Sequence, residues 1–198
     1  TVVPDALRFQ GPCVTVEKTS PVSELLHLRG CGTPSLRGDL TIRWELRALA
    51  LHVEVETHDF FIGAAFLRSA TMSAEISATG QDRTMVWEMH IEGVLKSDTK
   101  PRQFTSDTFK TLRWRIGTPC ITTDGTSTTS VEARKVRVTF TGFKLCGGMR
   151  CPEPNSRVRV DNLVTNQFIA VRFTPLPGHA VLTDVDGKIL PIRPLCAR

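Results

Sequence analysis

The chain has 198 residues, 40% hydrophobic and 23% charged, with 25 Lys and Arg against 20 Asp and Glu for a formal charge of +5. That balance fits one self-sufficient folded domain, or one domain with a tail, and argues against wholesale disorder, a fibrous repeat or two equal domains. No apolar run approaches the roughly 18 residues of a membrane helix, and residues 1–10 lack the charged-then-apolar layout of a signal peptide.

The chain opens Thr1-Val2-Val3-Pro4 with no initiator Met, which leads us to expect a lost leader or cleavage from a longer precursor. Cys13 to Val16 then reads as a short strand. Ser20-Pro21-Val22-Ser23-Glu24-Leu25-Leu26-His27-Leu28 offers a Ser N-cap, Pro at the first helical position and Glu in the first turn, and predicts a short helix ended by Gly30, Gly32 and Pro34. From Thr41 to Ala48 apolar and polar residues alternate: Ile42, Trp44, Leu46 and Ala48 share one face, and Arg43, Glu45 and Arg47 the other. This is the period of a half-buried strand. It returns at Met85 to Ile91, Leu112 to Ile116 and Val136 to Phe140, and more weakly at Leu51 to Glu56, Phe60 to Leu67, Met72 to Ile76, Arg157 to Val160 and Gln167 to Phe173. Residues 96–102, 122–130 and 147–156 read as turns. The Gly- and Pro-crowded stretch Cys146 to Pro154 is the best boundary between a core and a tail. An all-β domain follows.

Cys13, Cys31, Cys120, Cys146, Cys151 and Cys196 form an even set, allowing three bridges and fifteen connectivities in an oxidising compartment. Their irregular spacing makes buried free thiols the simpler expectation, and with no nearby histidines a zinc site is poorly supported. Asn155, Asn162 and Asn166 are not glycosylation sequons.

No constellation of active-site chemistry stands out. His27, His52, His58, His90 and His179 lack metal-ligand spacing, and His52 and His90 sit in strand slots suited to structural histidines. There is no Gly-x-Ser-x-Gly elbow. Gly30 to Gly38 lacks the Lys and Ser/Thr of a phosphate loop, and Asp184-Val185-Asp186-Gly187 lacks the downstream Glu of a calcium loop and reads as a turn. Arg37-Gly38-Asp39, the tripeptide integrins read, is placed by the pattern in a loop before a strand.

In order and spacing, several segments together resemble the small coat proteins of comoviruses and their relatives in the Secoviridae, fabaviruses above all. They are Ser20 to Leu26, Gly38 to Ile42, Arg113-Trp114-Arg115, and Val136 to Phe140 running on to Phe143 and Gly148. The resemblance spans roughly residues 11–154. It implies a single jelly-roll β-sandwich of the viral capsid type with one short helix, an arm over 1–10, a jelly roll over 11–154 and a C-terminal extension over 155–198, for which the family has no counterpart of this length. It implies a polyprotein product that joins a larger two-jelly-roll coat protein, and copies of itself around a five-fold axis, in an icosahedral shell around single-stranded RNA. A viral movement protein is a further implied partner. The setting would be the virion, plant cytoplasm and plasmodesmata, with reduced thiols, no cofactor and no membrane. Arg43, Arg47, Arg113 and Arg115 are then candidates for RNA-phosphate contacts, by alternation alone. The rival reading is a secreted, disulfide-bonded β-sandwich binding module.

Overall fold

The computed structural model describes residues 13–96, 100–147, 152–176 and 179–192. They form thirteen strands: β1 (Val14–Ser20), β2 (Ser23–Cys31), β3 (Leu36–Arg47), β4 (Ala50–Ile62), β5 (Ala65–Thr79), β6 (Asp82–Leu95), β7 (Arg102–Arg115), β8 (Cys120–Val131), β9 (Arg134–Cys146), β10 (Arg157–Asn162), β11 (Gln167–Phe173), β12 (Ala180–Thr183) and β13 (Ile189–Ile192). All thirteen lie in one antiparallel sheet whose spatial order is their sequence order. The expectation of an all-β chain stands.

The jelly-roll topology does not. A jelly roll is built from Greek keys, in which a long connection returns a strand beside a non-consecutive one. Here Pro21-Val22, Ala48-Leu49, Gly63-Ala64, Gly80-Gln81 and Glu132-Ala133 are two-residue connections, with positive φ at Ala48, Gly63, Gly80 and Glu132. Such tight hairpins fold each strand straight back on its predecessor. The result is a meander.

The helix expected from Ser20 is likewise absent. Ser20 does act as the cap-like residue, its Oγ accepting the Val22 amide at 3.2 Å, but the turn it closes is that of the β1–β2 hairpin. Leu26 pairs with Val16 on one side and Leu40 on the other and is 3% exposed. Burial of that side chain across three strands, about 1.5–3 kcal/mol, outweighs a weak helical start signal. Residues 122–130, expected as turn, are the body of β8, and Arg37-Gly38-Asp39 lies inside β3.

The stretch Cys146 to Pro154 does separate two strands, but they are neighbours: β10 pairs with β9 from Arg157↔Thr141 to Asn162↔Val136. Residues 157–192 therefore continue the same sheet. Ser156, fully buried, fastens this junction: its Oγ accepts the Lys144 amide at 3.0 Å and donates to the Gly142 carbonyl at 3.3 Å, while its carbonyl accepts the Phe173 amide. Residues 1–12, including the expected arm, lie outside the described residues.

Directly paired residues share a face, so the registers divide the sheet into an apolar and a polar side. Trp44, Val53, Ala74 and Trp87 form one lateral row of the apolar side, and Ile42, Val55, Met72 and Met89 the next. The best-buried cluster, Phe60, Leu67 and Ala70, packs with Leu28, Leu36, Leu40, Ile91 and Phe104. It follows a line where the sheet bends. At Gly38 one residue of β3 faces two of β4, Asp59 and Phe60, and Arg68 is bulged out of the β5–β6 ladder. A Cβ on Gly38 would lie 2.6 Å from the Asp59 carbonyl oxygen, and one on Gly93 would lie 2.6 Å from the Phe104 ring, which covers that glycine. On β7 and β8 the same side is lined by paired hydroxyls, Thr108–Ser127 at 2.8 Å and Ser106–Thr129 at 3.1 Å.

Candidate binding face

The polar side carries most of the chain's charge. By register, Arg43, Arg47, Arg113 and Arg115 all lie on it, and Arg47 and Arg113 share one lateral row through Ala50, Ser77 and Thr84. That row spans four strand spacings, about 19 Å at roughly 4.8 Å each, so the arginines are not gathered at one point. Each is also engaged. Arg43 pairs with Glu56 at 3.3 Å, Arg47 with Glu45 at 2.7 Å and Arg113 with Asp124 at 2.6 Å, while Arg115 donates to Gln81 Oε1 at 3.2 Å. Exposed ion pairs stabilise little, but the three carboxylates offset the charge of Arg43, Arg47 and Arg113, whereas the neutral Gln81 leaves that of Arg115 in place.

Between them lies an acidic trough. Glu54, Glu56, Glu88, His90, Asp107 and Phe109 line a depression of about 630 Å³ on the polar side of β4–β8. His90 occupies its structural slot in β6, as expected, with a carboxylate on each ring nitrogen: Asp107 Oδ1 at 2.6 Å from Nδ1 and Glu92 Oε1 at 3.4 Å from Nε2. The Asp107 hydrogen bond raises the His90 pKa above 6.5; partial desolvation opposes it and Glu92 adds to the rise. Two carboxylates favour the doubly protonated ring, which can donate to both. His27 likewise lies near two carboxylates, with Asp39 Oδ1 2.8 Å from Nδ1 and Glu17 Oε2 3.8 Å from Nε2. Asp39 of the Arg37-Gly38-Asp39 tripeptide thus serves a neighbouring strand. Among the described residues no group of three or more His, Cys, Asp or Glu is arranged to hold a metal ion.

Past β8 the charge reverses. Lys135, Arg137, Arg157, Arg159 and Arg172 project from the polar side of β9, β10 and β11, whose sequences contain a single acid, Asp161. Asp161 is held by Arg159 at 2.7 Å. Sequence reasoning passed over this strip because its cations lie far apart in the chain. The alternation Lys135-x-Arg137 and Arg157-x-Arg159 was the available signal, and pairing of β9 with β10 was the missing step.

Two disulfides fasten neighbouring strands. Cys13, just before β1, joins Cys31 at the end of β2, with Cα atoms 5.4 Å apart. Cys120 joins Cys146 directly across β8 and β9. These four are therefore not the free thiols expected from spacing: antiparallel register brings each pair face to face, which spacing along the chain conceals. Cys151 and Cys196 lie outside the described residues.

No family model matches the chain, and neither a curated protein nor a solved structure is significantly similar to it.

Proposed function

We propose that this chain is an extracytoplasmic, non-enzymatic binding module that presents the polar face of a disulfide-pinned meander sheet. The observation that carries the reading is the pair of cross-strand disulfides, Cys13–Cys31 and Cys120–Cys146, since stable disulfides belong to oxidising compartments. The wide, charge-segregated face supports binding over catalysis: in the trough both ring nitrogens of His90 are turned to carboxylates, not to the hydroxyls of Thr71 and Ser73 that also line it. The coat-protein reading, carried by the order and spacing of sequence segments, implied a jelly roll and reduced thiols; sequential strand order and paired cysteines lend it no support.

The test is production of the same chain in an oxidising and in a reducing compartment. The proposal expects a cooperative, protease-resistant fold only from the oxidised protein, with that resistance lost on reduction. A fully reduced protein that folds as well as the oxidised one overturns it.

A further inference from the structure

We propose that the polar face of β9–β11 is a binding strip for a linear acidic polysaccharide, engaged through its sulfate or carboxylate groups. This deepens the binding-module reading and takes the extracytoplasmic setting from it. Five cations define the strip. Arg137 stands opposite Asp161, Arg159 opposite Thr139, Arg157 opposite Thr141, and Arg172 directly opposite Arg157, while Lys135 extends the line on β9. At about 3.4 Å per residue, Lys135 to Thr141 covers roughly 20 Å. A run of that length suits a polymer of repeating charge, not one small anion.

The requirements of folding do not account for this arrangement. Like charges directly opposite each other on adjacent strands destabilise a sheet. Arg157 and Arg172 are such a pair, both exposed, and no ion pair joins either to a carboxylate among the described residues. Elsewhere on the same side Arg43, Arg47 and Arg113 each hold a carboxylate. Arg29 and Arg37, a second directly opposed pair, and Arg115 also lack a carboxylate among the described residues, but four such cations, Lys135, Arg137, Arg157 and Arg172, gather on β9–β11, where an external anion can take the place of the missing acids.

The chemistry favours a polysaccharide over a nucleic acid. Nonspecific single-strand binding combines a cationic track with free aromatic platforms for the bases. The aromatic ring on this face, Phe168, is covered by the Arg159 guanidinium at 4.0 Å. What remains is guanidinium forks that match planar or tetrahedral oxyanions, beside the hydroxyls of Thr139 and Thr141, which suit sugar hydroxyls.

Calorimetric titration of the oxidised full chain with a size-defined heparin dodecasaccharide, repeated over a range of salt concentrations, tests the strip. The expected result is saturable binding that weakens linearly in log K against log salt. The Arg157→Gln/Arg172→Gln variant should lose about tenfold in affinity and lower the salt slope by about two. It removes a like-charge pair, so it should fold at least as well as the parent. Arg43→Gln/Arg47→Gln, on the same side but away from the strip, should keep parental affinity. Absence of binding by the parent, or equal affinity of the strip variant and the parent, overturns the proposal. So does equal or tighter binding of a single-stranded oligonucleotide of matched charge, which reassigns the strip to nucleic acid. Dependence of the fold on oxidation is measured separately, so the two readings fail independently.

Discussion

Asp124 accepts the amide of Gly142 at 2.7 Å through one carboxylate oxygen and holds Arg113 at 2.6 Å through the other. The contact sits where the β8–β9 ladder slips, one residue of β8 facing Thr141 and Gly142, with Gly142 at φ 53°. One carboxylate thus closes a bulge in β9 and ties it to β7 across β8.

Replacing that carboxylate should loosen three strands at once. Asp124→Ala is expected to cost about 1.5–3 kcal/mol, the range for hydrogen bonds to charged groups, read as a lower urea midpoint. An Arg113→Ala variant, which removes only the exposed pair, should cost under about 1 kcal/mol. Equal costs would mean that the Gly142 contact contributes nothing.

The bend line makes a second prediction. Gly93→Ala places a methyl group against the Phe104 ring and the Phe66 carbonyl, and overpacking of this kind costs about 1–3 kcal/mol. Phe104→Ala is costly in itself because the ring packs on the core cluster, so the test is a double-mutant cycle: Gly93→Ala should cost less in the Phe104→Ala background than in the parent, because the ring is one of the two obstructions. A neutral Gly93→Ala would contradict the close approach.

His90 should titrate above 6.5, and Asp107→Asn should move it back toward 6.5, both read from imidazole proton shifts. Because the folded-state pKa is raised, its contribution to stability is full below the unfolded value near 6.5 and is lost as pH rises through the folded value. The parent should therefore lose stability relative to Asp107→Asn on going from mildly acidic to alkaline pH. A flat difference between the two would remove His90 as the source.

Alternation was a dependable guide where one face of a strand is apolar. Thr41 to Ala48, Met85 to Ile91, Leu112 to Ile116 and Val136 to Phe140 fall in β3, β6, β7 and β9 except for Ala48 and Ile116, each just past its strand, and each marks only part of a longer strand. It failed on β8, where Thr122, Thr123, Ser127 and Thr129 leave both faces hydroxylic. There the strand is held by Thr β-propensity and by hydroxyl pairs with β7. It failed differently at Ser20, where a side-chain-to-amide bond that opens helices also closes a hairpin turn. The arginines read as site candidates are placed on one face as alternation requires. Their carboxylate partners Glu56 and Asp124 lie on other strands, and only the register reveals that they are engaged while Arg157 and Arg172 are not.

The pinning of the sheet by its two cross-strand disulfides is tested most directly by peptide mapping of the protein purified without reductant. We predict that alkylation in denaturant leaves Cys13, Cys31, Cys120 and Cys146 unmodified, and that linked peptides join Cys13 to Cys31 and Cys120 to Cys146. Full alkylation of those four cysteines, in protein that is nevertheless folded, would contradict the account.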